Sequence, residues 1–336
     1  MSTAQQRPTL EGVAVRAGVS RATVSRVVNG APTVAAEIRE TVLRAVREMG
    51  YVPNHAARTL VTQRTNSMAL VFPEAAARVF SDNELFPGLV QGVSQELEAA
   101  GLQLVLMMAS SRESHERMEQ YLMARHVDGA MMASMHGADP LPMTLQRMDV
   151  PVVVNGRPLG SSTVPYVDVD SAGGAAAAVR HLIDRGRTRI ATIAGPQDMV
   201  AGIDRLAGYR DQLRGSRRRS IVAVGDFTRE SGEAAMRQLL EDDPGLDAVF
   251  VASDLMALGA LRALAQAGRR VPDDIAVVGF DDFELARYTE PQLTTVRQPI
   301  IELGRTLARQ LLRLVTGEEI QRALVLPTSL IVRDSA

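Results

Sequence analysis

Within six residues, Arg21, Thr23, Ser25 and Arg26 place two guanidinium forks and two hydroxyls. Their chemistry is recognition rather than bond-making. An arginine fork can bond bidentately to guanine O6 and N7, and hydroxyls suit phosphate oxygens. No set of residues offers a rival chemistry. Cysteine is absent and all 37 basic residues are arginine, which removes thiol catalysis, disulfides, Schiff bases and the lysine of a phosphate loop. There is no G-x-S-x-G elbow and no H-E-x-x-H zinc helix, and His55, His115, His126, His136 and His181 are scattered. An enzyme is disfavoured, and neither cofactor nor metal is expected.

The elements that must hold the four recognition residues are short. Leu10, Val13, Ala14 and Ala17 recur at helical spacing, with Thr9 as N-cap and Gly18 as the closing left-handed residue. Ser20 caps a second helix that turns Val24 and Val27 inward. Two short helices joined by a three-residue turn make a helix-turn-helix. A third helix carries the stripe Ile38, Val42, Ala45, Val46 and Met49, closed by Gly50. A small helical bundle that binds protein would show the same apolar pattern. Charge adds to the first reading: residues 1–64 hold nine arginines against four acids, net +5, whereas residues 65–336 carry net −7. A basic head on an acidic body attracts phosphate polyanions in a salt-dependent way.

The run Val19-Ser20-Arg21-Ala22-Thr23-Val24-Ser25-Arg26-Val27-Val28-Asn29-Gly30, followed by Gly50-Tyr51-Val52-Pro53-Asn54, resembles the N-terminal signature of the lactose-repressor (LacI/GalR) family of bacterial transcription regulators. The resemblance implies a recognition helix in the major groove, with Arg21, Ala22 and Arg26 choosing operator bases. Ala22 cannot hydrogen-bond, so a base contact from it is expected through a thymine methyl. The implied DNA-contacting set also takes in Thr9, Ser20, Thr23, Ser25, Asn29, Asn54, Ala57 and Leu60. Residues 1–53 form the head and 54–64 a hinge that folds on DNA, where Leu60 wedges into the minor groove and bends the duplex. Ala35 departs from the family, which usually has a serine capping the third helix; losing such a cap costs about 1 kcal/mol.

From residue 65 onward, short β-rich runs alternate with amphipathic helices. Expected strands are Ser67–Phe72, Gln103–Met108, Gly129–Met132, Val152–Val154, Tyr166–Val169, Ile190–Ala194, Ile221–Val224, Ala248–Val251 and Ile275–Gly279, with helices such as Leu85–Ala99, Ala172–Asp184, Leu255–Ala267 and Ile301–Val315. The fold class is α/β: an all-α head and hinge, then two doubly wound parallel sheets. Gly195-Pro196, Asp204 to Arg210, Ser253 to Ala260, Val278 to Asp282 and Pro291 to Gln298 are similar to the family's regulatory core, which resembles periplasmic sugar-binding proteins. By that analogy residues 65–336 form the effector-binding and dimerisation core, the N-lobe spanning 65–165 and 296–325 and the C-lobe 166–295 and 326–336.

Ligands in such folds lie beyond the carboxyl ends of strands. Arg157, Ser253, Asp254 and Asp281 follow expected strands, Asp82 and Phe86 stand at the loop and helix entrance opposite, Arg205 stands at a helix start and Gln298 closes the last family-like segment; these are the expected effector-binding residues. Carboxylates accept from sugar hydroxyls, guanidinium donates, and Phe86 offers a stacking surface. Arg205 is expected to open a helix. Ser253 and Gly156 shorten side chains at positions where relatives carry asparagine and aspartate, so a larger ligand is admitted or water fills the room. A saccharide leads, with a purine or other polar metabolite as corepressor the alternative.

The implied partners are a pseudo-palindromic operator, a small effector and a second copy of the chain. No leucine heptad follows the last strand, so a dimer is expected. No apolar run approaches the ~20 residues of a membrane span, and the polar start Met1–Thr9 lacks a signal-peptide core. Work in the cytoplasm, on the nucleoid, is expected. Two rivals share the body: a sugar-transport receptor, which would need export and no head, and an enzyme on a doubly wound sheet, which would need a base and nucleophile.

Overall fold

The computed structural model describes residues 8–336 apart from 30, 32, 53–63, 80–82, 161 and 216–217. It divides into two compact units, Met1–Thr65 and Asn66–Ala336.

In the first unit, α1 (Leu10–Ala17), α2 (Arg21–Val28) and α3 (Ala36–Met49) enclose Val13, Ala14, Val24, Val27, Val42, Ala45 and Tyr51. The capping chemistry read from the sequence is present. Thr9 Oγ1 accepts from the Gly12 amide at 3.1 Å, Ser20 Oγ accepts from Thr23 at 3.2 Å, and Gly18 and Gly50 close α1 and α3 in the left-handed region. Ala35 occupies the α3 N-cap with no side-chain hydrogen bond. Ile38, expected in the α3 stripe, is 38% exposed, because the stripe's buried positions are Val42 and Ala45 one and two turns later. So small a core leaves the unit with a modest margin of stability.

The second unit holds two six-stranded sheets. The first has the order β11-β5-β4-β3-β1-β2, from β1 (Ser67–Phe72), β2 (Gln103–Met108), β3 (Gly129–Met132), β4 (Val152–Asn155), β5 (Tyr166–Val169) and β11 (Ala323–Leu326). The second has the order β12-β10-β9-β8-β6-β7, from β6 (Ile190–Ala194), β7 (Ile221–Val224), β8 (Ala248–Val251), β9 (Ala276–Asp281), β10 (Thr294–Arg297) and β12 (Ser329–Ile331). Every pairing is parallel except β10 with β12. Parallel strands need crossover helices, which cover both faces. These are α4 (Leu85–Ala99), α5 (Arg112–Met123), α6 (Leu141–Arg147) and α11 (Ile300–Thr316) on the first sheet, and α7 (Ser171–Asp184), α8 (Val200–Gly215), α9 (Arg229–Asp242) and α10 (Asp254–Gln266) on the second. Each sheet is sandwiched by two apolar clusters.

The lobe boundaries differ from the sequence expectation. Tyr166–Val169, expected to open the second lobe, is a strand of the first sheet, because it pairs with β4 on one side and with β11, more than 150 residues later, on the other. Thr294–Arg297 belongs wholly to the second sheet, so the chain re-enters the first lobe at α11 rather than at residue 296. Three crossings, near residues 170, 298 and 327, join the lobes.

Candidate DNA-reading face and ligand cleft

At ~100° per residue, α2 turns Val24 and Val27 to the core and presents Arg21, Ala22 and Arg26 together on its outer face. Those three are exposed, and Thr23 and Ser25 are half-buried. The hydroxyls are already engaged locally: Ser20 Oγ and Thr23 Oγ1 lie 2.9 Å apart, and Asn29 Nδ2 donates to Ser25 Oγ at 3.3 Å. Arg21 pairs with Glu11 at 3.0 Å. Asn54, Ala57 and Leu60 lie outside the described residues, as does Asp82 from the effector set.

In the second unit the carboxyl ends of β4, β5, β8 and β9 and the start of α8 face one cleft between the lobes, of about 370 Å³. Phe86, Arg157, Arg205, Ser253, Asp281 and Gln298 all line it. At its polar pole, Arg205 is 4% exposed and donates through Nη1 to the Ala252 carbonyl at 2.6 Å and to Asp281 Oδ1 at 3.3 Å. Its guanidinium lies 3.8 Å from the Phe280 ring centroid and 5.7 Å from that of Phe227. The buried Arg205 Nε has no hydrogen-bond partner among the described residues. Gln298 Nε2 donates to Asp281 Oδ1 at 2.5 Å. Burial pushes the Asp281 carboxyl up to about 6, against the pull of Arg205 and Gln298. Burial likewise lowers Arg205, an effect that Asp281 opposes.

The backbone at this pole is strained. Asp281 and Asp282 have φ of 126° and 58°, left-handed conformations that an aspartate holds only when its surroundings fix it. Asp282 supplies that fixing: its buried carboxylate accepts from Arg297 Nε at 2.7 Å and from Arg333 Nη2. Asp281, expected past the end of its strand at Gly279, lies within β9, which runs through it.

Three further expectations are corrected. Asp254 is fully buried behind the cleft wall, accepting from Thr295 Oγ1 at 2.6 Å and from the Phe283 amide at 2.9 Å, so it braces β10 and the loop after β9. Burial, and then the neighbouring Asp281, raise its carboxyl well above the ordinary range. Phe86 borders the cleft, but its ring is 2% exposed and packs edge-on against Phe72 at 5.0 Å, leaving little face for stacking. Arg205 lies in the second turn of α8, which starts at Val200.

Sequence reasoning missed Asn155, Asp168 and Phe227, which also line the cleft. Asn155 ends β4 and Phe227 follows β7, so the carboxyl-end rule reaches both. Asp168 lies within β5 and accepts from the amides of Arg157 and Val169 at 2.9 and 2.8 Å; burial raises its carboxyl. At Gly156 φ is +86°, where a side chain would be strained, which accounts for glycine there. Ser253 Oγ caps α10 by accepting from Met256 at 3.2 Å. Pro140, Pro142, Met143, Pro158 and Leu159 add apolar surface to the cleft lining.

Several contacts tie the lobes together around this cleft. Arg157 Nη2 donates to Asp204 at 2.8 Å, the Gly137 amide donates to the Asp198 carbonyl at 2.7 Å, and the Glu284 amide donates to both Glu84 carboxylate oxygens at 2.9 and 3.0 Å. His136 stands between Asp198 Oδ2 at 2.9 Å and Glu74 Oε1 at 3.2 Å.

Residues 9–54 match the family model described as bacterial regulatory proteins, lacI family, and residues 179–336 match the periplasmic binding protein-like domain. Along 98% of its length the chain is 51% identical to the HTH-type transcriptional regulator CelR of Thermobifida fusca, covering 99% of that protein. Among solved structures, a CelR–cellobiose complex is 49% identical with a TM-score of 0.79, over 98% of this chain and 100% of that one. A lac repressor dimer bound to operator and the anti-inducer ONPF is 31% identical with a TM-score of 0.85, over 98% and 99%. No helix among the described residues is long and apolar enough to cross a membrane. Identity at this level over nearly the full length makes the chain a member of the lacI family of bacterial regulatory proteins, a DNA-binding transcriptional regulator.

Proposed function

We propose that the chain is a repressor that acts in the cytoplasm as a homodimer on a pseudo-palindromic operator, and that its cleft takes a short glucan-type saccharide such as cellobiose. The observation that carries the effector class is the mixed lining of the cleft, ionic and apolar together. Asp281 and Arg205 bring an acceptor and a guanidinium to the lining, and Pro140, Pro142, Met143, Pro158 and Leu159 give sugar rings an apolar surface to lie on. The cleft volume is within the range of small-molecule sites. The CelR relative solved with cellobiose supports the same class.

One head makes too few contacts for specific affinities of ~10⁻⁸ M, and two heads on a two-fold axis match two half-sites. Arg21, Ala22 and Arg26 read bases, while Thr9, Ser20, Thr23, Ser25 and Asn29 meet the backbone, with Asn54, Ala57 and Leu60 completing the contacts from the hinge. Control follows as a population shift. Effector bound between the lobes favours the closed pair of lobes, and closure alters the hinge of both copies; coupling of this kind typically changes operator affinity ~5- to 150-fold.

Thermal-shift measurements with cellobiose, cellotriose, glucose, ribose and hypoxanthine test the effector class, repeated on Arg205→Ala and Asp281→Asn. A β-glucan stabilisation lost in both variants is expected. Stabilisation by hypoxanthine alone, or by any sugar in both variants undiminished, overturns it.

A further inference from the structure

Glu11 stands in the first turn of α1 and Arg21 opens α2, and the Arg21 Nε lies 3.0 Å from Glu11 Oε1. The two side chains are 73% and 61% exposed, so no core packing holds them. A surface pair of this kind adds little to stability. A carboxylate beside a base-reading guanidinium also repels every phosphate the head approaches, so its position works against plain affinity for DNA. It has a different consequence for sequence choice.

An arginine on a flexible stem can satisfy its fork on a phosphate as readily as on guanine, since both accept two parallel hydrogen bonds. Phosphates occur at every step of the duplex, and guanine does not. Glu11 pairs with Nε, and the two terminal amino groups, which can bond guanine O6 and N7, are not part of that 3.0 Å contact.

We infer that Glu11 is a positioning residue for sequence readout: it holds Arg21 for guanine and keeps it from the phosphates. The inference rests on the reading of α2 as the groove helix. Removing the carboxylate then has effects of opposite sign. Binding to unrelated duplex strengthens, because a repulsive charge is gone and Arg21 gains a phosphate. Preference for guanine weakens, at the one base position that Arg21 reads. A role in folding alone would move both affinities the same way and single out no base.

The test uses the full chain. Selection from a duplex library with a randomised pseudo-palindrome defines the preferred operator, and the selection is repeated with Arg21→Ala, Glu11→Gln and Glu11→Ala. Fluorescence anisotropy then gives affinities for the operator and an unrelated duplex between 50 and 200 mM salt, conditions suited to reading counterion release. Arg21→Ala should erase a guanine at one symmetric pair of positions. Both Glu11 variants should weaken that preference about two- to fivefold, the scale of an exposed ion pair, and leave the other positions alone. Their log–log salt slope on unrelated duplex should steepen by about 0.9, one extra phosphate contact. Helical circular dichroism melts should match the parent, since neither core nor cap is touched. If Arg21→Ala leaves every base preference intact, the groove reading of α2 is wrong. If Arg21→Ala erases a guanine and the Glu11 variants leave it unchanged, or weaken all positions alike, the groove reading stands and the role given to Glu11 fails.

Discussion

Effector affinity should depend on pH through one carboxyl group. Asp281 is buried at the polar pole, and burial raises it from the ordinary 3.8 to about 6. A saccharide hydroxyl donates to a carboxylate, so binding requires the ionised form. About nine-tenths of the groups are ionised at pH 7 and about one-tenth at pH 5, so affinity should fall about tenfold over that interval. The sign for the free protein follows from the same shift. With the folded value above the unfolded one, the proton stabilises the fold; that contribution is complete below pH 3.8 and lost as pH rises through about 6. The free protein should therefore lose stability between about pH 4 and 6 while effector binding improves. Isothermal titration calorimetry with cellobiose at pH 5, 6 and 7, in buffers of different ionisation enthalpy, measures both the affinity and the released proton. Asp281→Asn should bind weakly with a flat profile. Among the described residues Asp168 is the other raised carboxyl lining the cleft, so a parent slope that persists in Asp281→Asn would refute the role given to Asp281.

Asp254→Asn should lower the melting temperature by loosening β10 and the loop after β9, yet keep the effector-induced shift, in contrast with Asp281→Asn; equal loss of that shift in both would put Asp254 back in the cleft. Arg205→Ala removes the buried partner of Asp281, a change that typically costs about 3–5 kcal/mol, and chemical denaturation at pH 7 should register it. Ala35→Ser should stabilise the head by about 1 kcal/mol by supplying the missing α3 cap, readable as a higher midpoint of the helical melt. Asp198→Ala removes the second-lobe carboxylate from His136, and small-angle scattering of the effector-free protein should report a larger radius of gyration than the parent.

The sequence was most legible where structure is decided locally. Thr9, Ser20 and Gly18 act within three or four residues of themselves, so their types and spacing define the head's helix ends. Strands β1 to β9 were readable as short apolar runs because both faces of a parallel sheet are covered. Legibility failed where a partner is remote. Thr294–Arg297 reads as polar and gives no strand signal, yet Thr294 and Thr295 are fully buried, satisfied by the Arg333 carbonyl and by Asp254 from other parts of the chain. Tyr166–Val169 was recognised as a strand and given to the wrong lobe, since nothing within it says that β11 will supply its outer edge.

The same distinction separates the two aspartates that the sequence treated alike. Asp254 and Asp281 both stand at the carboxyl ends of strands in the second sheet, and the rule for open α/β sheets cannot tell them apart. What divides them is where their partners come from. Thr295 and the Phe283 amide take both oxygens of Asp254 inside the lobe, so nothing of it is left for a ligand. Asp281 shares one oxygen between Arg205 and Gln298 and faces the cleft. Gln298 lies at one of the crossings between the lobes, so under the proposed function the carboxylate that would meet the effector is also fastened to a segment on which the lobes would turn. A ligand that draws on Asp281 would therefore act on a residue already joined to a crossing between the lobes. This gives the cleft a physical means of reporting occupancy, one that Asp254, closed within a single lobe, does not have.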